Sequence, residues 1–97
     1  SPATIYIREA DNDEVKMNLP DLESYIGHES TAQIVSDLLE APVKANRAQI
    51  SLNAGDSCYI FQLTQRLPEG KILTKEELEQ LPYKWLKVSV LNAERYK

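Results

Sequence analysis

Apolar positions along this chain recur at two periods, and the switches between them mark the elements. Thr4 to Arg8, read TIYIR, is rich in β-branched and aromatic residues and predicts a strand. Glu9 to Asn18 is polar and acidic, which predicts a loop with room for one helical turn. Asp21 to Ile26 is ambiguous between a short helix and a strand running into a Gly27–His28 corner. Within Tyr25 to Leu39 a helix follows the Gly27–His28 corner: Ala32, Ile34, Val35, Leu38 and Leu39 recur at three- and four-residue spacing. Ser30 with Gln33 three residues on fits a capping box, in which each side chain satisfies an orphan N–H of the first turn. This helix is expected to end near Glu40, with Pro42 as the stop.

Period two then returns. Arg47, Gln49 and Ser51 alternate with Ala48, Ile50 and Leu52, the pattern of a half-buried strand. Asn53-Ala54-Gly55-Asp56 is turn chemistry, and Ser57 to Gln65 with its apolar middle CYIFQL predicts a second strand. The two strands predict a β-hairpin. If Leu52 and Ser57 close its loop, Ile50 faces Tyr59 and Ala48 faces Phe61 on the core side. Arg47 then stands opposite Gln62 on a polar face, with Arg66 further along the same side. A slip of one residue would move every side chain across the sheet. Leu67-Pro68-Glu69-Gly70 is a turn, and Lys71 to Leu73 a candidate short strand. Thr74 with Glu77 makes a second capping box, opening a helix to about Leu81 that Pro82 ends. Trp85 to Leu91, read WLKVSVL, is the last strand.

Length and charge narrow the function classes. A chain of 97 residues makes one domain, residues 1–97, with a modest core. No apolar run is long enough to span a bilayer, and no signal-peptide pattern is visible, so a cytoplasmic protein is expected. The single cysteine, Cys58, excludes an internal disulfide, and its apolar surroundings favour burial over reactivity. One histidine and one cysteine cannot form a structural zinc cluster. Asp11, Asp13 and Glu14 lack the glycine and terminal glutamate of a calcium loop. No metal and no cofactor is therefore expected. A net charge of −4 argues against long nucleic acid, whose binding rests on neutralising phosphates. A small ligand with a few phosphates remains possible, because it needs only two or three converging basic groups.

The candidate chemistry gathers at His28, the one histidine of the chain. Gly27 before it supplies backbone freedom. The helix start after it offers free N–H groups and the positive end of a dipole, which favour an anion such as phosphate. An inert, hydrogen-bonded histidine beside a helix cap fits the same residues. The polar sheet face with Arg47, Gln62 and Arg66 likewise reads either as a ligand surface or as a solvated face.

Three pieces in order, GHESTAQIVSDLL, then NR, then FQLTQRLPEGKILTKEEL followed by LPY, resemble the small viral family of type III anti-CRISPR ring nucleases. The likeness runs from about Ala3 to Val90. The resemblance implies an α/β (α+β) fold, a mixed, mostly antiparallel sheet with helices packed on one face, assembled as a two-fold dimer. It implies a homodimer cavity that takes cyclic tetra-adenylate and cuts it, without metal, to linear di-adenylate ending in a 2′,3′-cyclic phosphate. The family's catalytic histidine falls on His28, and its motif arginine and glutamate on Arg66 and Glu69. Its ligand-binding arginine falls on Arg47 and its strand glutamine on Gln62, with Gly27 beside the histidine. Family members usually begin with a strand ending in an Asn-Ala-Phe-Ser-like segment. This sequence begins past that point and carries Val90-Leu91-Asn92-Ala93 near its other end, which makes Asn92 a candidate ligand contact.

The chemistry suits these residue types. A ribose 2′-OH attacks the adjacent phosphorus in line, so geometry must be held. An arginine fork stabilises charge on the phosphate oxygens. A histidine titrating near neutrality protonates the leaving 5′-oxygen. Two other classes fit the sequence: a module that binds a cyclic oligonucleotide without cutting it, and a viral interaction protein whose sheet face binds protein or nucleic acid.

Overall fold

In the computed structural model, which describes residues 4–68 and 70–91, the last strand of the sequence takes the middle of the sheet. β1 is Thr4–Ala10, β2 is Ser57–Leu63 and β3 is Tyr83–Leu91, in the order β1-β3-β2. Both pairings are antiparallel, Ile7 and Cys58 flanking Val88, and Ala10 and Phe61 flanking Trp85. β3 suits the centre because it is apolar on both sides: Trp85 and Val88 point to opposite faces and both are buried. The α+β expectation holds, with every strand pair among the described residues antiparallel.

Among the described residues three α-helices accompany the strands: α1 Asn12–Asn18, α2 Glu29–Leu39 and α3 Lys75–Glu79. α1 replaces the expected loop. Asp11 caps it, its carboxylate accepting the Glu14 N–H at 2.8 Å, and a 3-10 turn over Leu19–Asp21 follows. α2 starts two residues earlier than the Ser30 cap expected. His28 is its N-cap, and Gln33 bonds forward to Asp37 at 2.9 Å, so no capping box forms there. The helix ends at Glu40, which lies in the left-handed region at φ 53° and returns its N–H to the Ser36 carbonyl. The capping box of Thr74 and Glu77 forms as expected. Lys71 to Leu73 adopts no strand.

The hairpin does not form. Residues 47–52 carry no strand, and β2 pairs with β3 instead. The turn itself is present, Asp56 donating to the Asn53 carbonyl at 2.9 Å with Gly55 at φ 93°. Gly55 and Asp56 both bond Val90, a bulge that turns the chain into the β2–β3 ladder. Two influences separate residues 47–52 from β2: the longer, more apolar β3 claims one edge, and Asn46 is tied elsewhere.

Val15 of α1, Val35 and Leu39 of α2 and Trp85 of β3 form the core, with Tyr59 and Phe61 packed against it. These two β2 residues face inward as the alternation requires. Phe61 meets Trp85 and Tyr83 at ring-centroid distances of 5.1 and 5.4 Å. Polar ties hold α1 to the sheet. Trp85 Nε1 donates to Asn12 Oδ1 at 2.8 Å, and Asn12 Nδ2 donates to the Tyr83 hydroxyl at 2.7 Å. Arg8 grips Glu14 through both terminal nitrogens at 2.8 and 2.7 Å, and Tyr59 donates to the same carboxylate at 2.6 Å. On the other face Ile5, Ile7 and Ile60 remain exposed.

Candidate functional site

The stretch from Leu22 to His28 has neither helix nor strand, so its shape depends on what it is bonded to. A second irregular stretch, Lys44 to Arg47, runs beside it in the same direction. Ser24 Oγ donates to the Lys44 carbonyl at 2.6 Å. Asn46 N–H donates to the Ile26 carbonyl at 2.7 Å, and Asn46 Nδ2 to the Ser24 carbonyl at 2.9 Å. Arg47 Nε donates to the Gly27 carbonyl at 2.9 Å. The corner that delivers His28 to α2 is thus stitched to the residues just before the abandoned strand.

His28 is extended, at φ −123° and ψ 132°, and its carbonyl accepts the Ala32 N–H at 3.0 Å to begin α2. Its imidazole makes no capping bond and is exposed. The amides of Glu29, Ser30 and Thr31 have no carbonyl partner within the helix. An exposed imidazole and three N–H donors therefore stand together at the positive end of an eleven-residue helix. Arg47 adds a cation. Its Nε is taken by Gly27, and its two terminal nitrogens have no hydrogen-bond partner among the described residues. That leaves the flat fork open to a phosphate.

Gly27 and His28 also line a cleft of about 840 Å³. Its floor is apolar, with Val35, Leu39 and Phe61, and its sides include Ile50 to Leu52 and the outer edge of β2. The Val90–Asp56 bond sets the alternation of the ladder, so Ser57, Tyr59 and Phe61 turn their backbone N–H and C=O groups toward that edge. No strand among the described residues pairs with it.

The structure brings His28, Gly27 and Arg47 together and leaves the others apart. Arg47 stands at the His28 corner, off the sheet, so the common polar face with Gln62 does not exist. Gln62 sits beside Lys84 on the sheet face away from the core, and neither Gln62 nor Arg66 lines the cleft. Arg66 is exposed just past the end of β2. Glu69 and Asn92 lie outside the described residues. Asn46 carries two of the bonds that shape the corner, yet the sequence marks it only as the first half of an Asn-Arg pair. Its value depends on a carbonyl 22 positions away, which no local pattern reveals.

Glu14 is the most perturbed group. The bidentate bonds from Arg8, then the Tyr59 hydroxyl, hold its carboxyl down at about 2. The Tyr59 hydroxyl is pushed up, by burial first and then by its bond to Glu14. These residues join α1 to the sheet, and Tyr59 also lines the cleft. Burial also pushes the Cys58 thiol up, which agrees with an inert cysteine.

A family model described as STIV B116-like matches residues 1–85. Protein ORF116 of Acidianus filamentous virus 1 is 38% identical over 61 residues, covering 63% of this chain and 53% of its own. Protein 26 of Sulfolobus islandicus filamentous virus is 43% identical over 65 residues, covering 65% and 55%. YddF of Bacillus subtilis is 35% identical over 77 residues, covering 75% and 71%. The matches thus span little more than half the length of these viral relatives. Among solved structures, B116 of Sulfolobus turreted icosahedral virus superposes with a TM-score of 0.80 at 31% identity, over 91% of this chain and 84% of its own.

Proposed function

The chain belongs to the STIV B116-like family, and on that footing we propose that it is a metal-independent ring nuclease. Its substrate is cyclic tetra-adenylate, and its action silences the second messenger of type III CRISPR immunity in the cytoplasm of an infected cell. The observation that carries this reading is the pairing of His28 with Arg47. An exposed imidazole not used for capping stands one residue from a carbonyl that holds an arginine fork in place. The ordered motifs GHEST, NR and QRLPEGK support the same assignment.

In the proposed reaction a ribose 2′-OH gives its proton to solvent and attacks the neighbouring phosphorus, forming the 2′,3′-cyclic phosphate as the P–O5′ bond breaks. The first N–H groups of α2 and the terminal nitrogens of Arg47 hold the phosphate oxygens. His28 gives its proton to the departing 5′-oxygen. Arg66 and Glu69 join this machinery, and Gln62 and Asn92 contact the ligand. Two chains related by a two-fold axis supply two such sets around one ring of four nucleotides. One observation favours the alternative of binding without cutting: Gln62 and Arg66 do not share the cleft of His28.

Incubation with cyclic tetra-adenylate in EDTA, followed by product separation, tests both. The expected product is linear di-adenylate with a 2′,3′-cyclic phosphate, and His28→Ala should slow its formation at least ~100-fold, the usual scale of general acid catalysis. A ring that binds stoichiometrically and stays intact establishes sequestration instead. Normal turnover by His28→Ala excludes the histidine from the chemistry.

A further inference from the structure

We propose that Asn46 is the positioning residue for His28, clamping a hinge at Gly27 through its bonds to Ile26 and Ser24. The inference rests on the ring-nuclease reading for its kinetic consequence, but the clamp itself is a property of the free protein.

Gly27 identifies the hinge. Its φ is outside the left-handed region, and a Cβ placed on it would meet nothing within 4 Å. Neither backbone conformation nor space demands glycine there. What glycine does confer is freedom, which at this position would let the corner and His28 wander. Residues 22–28 have no helical or sheet ladder to restrain them. Restraint comes from 44–47, and Asn46 is the one residue there that bonds twice to the corner.

The Asn46 side chain is itself immobilised. Its Oδ1 accepts the Ala48 N–H at 3.1 Å while its Nδ2 donates to the Ser24 carbonyl at 2.9 Å. The first is an Asx turn, and the second crosses to the corner. The two bonds orient the amide unambiguously, since only its oxygen can accept and only its nitrogen can donate. Arg47 adds one more tie, at Gly27. Arg47 also offers its remaining nitrogens to a phosphate, so its loss mixes positioning with binding. Asn46 has its amide oxygen and one of its two amide N–H groups engaged within the protein, and it carries no charge for a phosphate.

A proton donor displaced by about 1 Å can cost on the order of 100-fold in rate. The bond to Ile26 comes from the Asn46 backbone N–H and survives a change of side chain, so two substitutions test the Ser24 bond. Asn46→Asp keeps the acceptor for Ala48 and sets a carboxylate against the Ser24 carbonyl. Asn46→Ser keeps a hydroxyl able to accept from Ala48 but too short to reach Ser24. Each should lower kcat about 10- to 100-fold, with KM for cyclic tetra-adenylate within about twofold of the parent.

The independent readout is backbone order by ¹⁵N relaxation in the free chain. Gly27 and His28 should have order parameters of about 0.85 in the parent and below about 0.6 in both variants, with α2 unchanged. Rigid Gly27 and His28 amides in the variants overturn the proposal. So does a kcat loss matched by an equal rise in KM. A parent chain that fails to cut the ring refutes the ring-nuclease reading, while the relaxation result still decides whether Asn46 clamps the corner.

Discussion

Arg47 divides its guanidinium between two tasks, and the division makes lysine a poor substitute. Nε holds the Gly27 carbonyl while the terminal nitrogens have no hydrogen-bond partner among the described residues. An ammonium is a single point charge that can reach the carbonyl or a phosphate but does not hold both in a fixed plane. In the proposed reaction, Arg47→Lys should retain part of the binding and lose most of the turnover, whereas Arg47→Ala should lose both. Arg66→Ala should weaken binding or turnover, with Arg66→Lys an incomplete rescue for the same geometric reason. Steady-state kinetics with cyclic tetra-adenylate check this, and unchanged constants in both alanine variants would argue that neither arginine meets the ligand. His28 and Arg47 were legible as residues because histidine and arginine are rare enough to stand out. Asn46 was not, because an asparagine before a strand pattern ordinarily signals only a turn.

At the level of elements, α1 depends on a charged tie whose strength changes with pH. Glu14 sits well below the usual carboxylate value of 4.5, at about 2, because Arg8 and Tyr59 bond its ionised form. A lowered folded-state value means that the stabilisation is fully present above about 4.5 and is lost as the pH falls toward about 2. Melting temperature should therefore decline across that window, and Glu14→Gln should flatten the decline while lowering the plateau near neutrality. An acid limb identical in Glu14→Gln and the parent would show that other carboxylates set it. The sequence does not reveal α1 as a full helix because it is short and mostly polar. Val15 is its one buried residue, too little to generate a period, and the element is held by a cap and by polar ties to residues far along the chain.

For the whole molecule, the question is whether one chain is enough. One copy places a single histidine and a single arginine at the corner, against a ring of four equivalent nucleotides. The proposed two-fold dimer doubles both. Sedimentation of the active protein is expected to give two chains per particle, and cutting should fall as dilution separates them. A monomer that cuts at full rate would remove the dimer from the proposal. Isoleucines 5, 7 and 60 remain exposed on the sheet face away from the core, so the sedimentation experiment should be run at several protein concentrations.

Local pattern determined α2, β1, β2 and β3: burial imposes a repeat of 3.6 on α2, and runs of β-branched, aromatic and apolar residues mark the strands, β1 included although it stays largely exposed. It determined the inward side of β2 for the same reason: Tyr59 and Phe61 pack on the core, and Gln62 does not. It did not determine the partner of β2. The alternation of residues 47–52 is equally compatible with a strand and with an extended segment tied to a neighbouring corner. The choice rests on long-range competition: β3 offers two apolar faces and a ladder of seven pairs to β2, while Asn46 bonds to Ser24 and Ile26. The same competition placed Arg47 beside His28 and left Gln62 on the far side of the sheet. Local patterns encode which side chains are buried. Which backbone edges meet is decided only when the distant segments compete for the same hydrogen bonds.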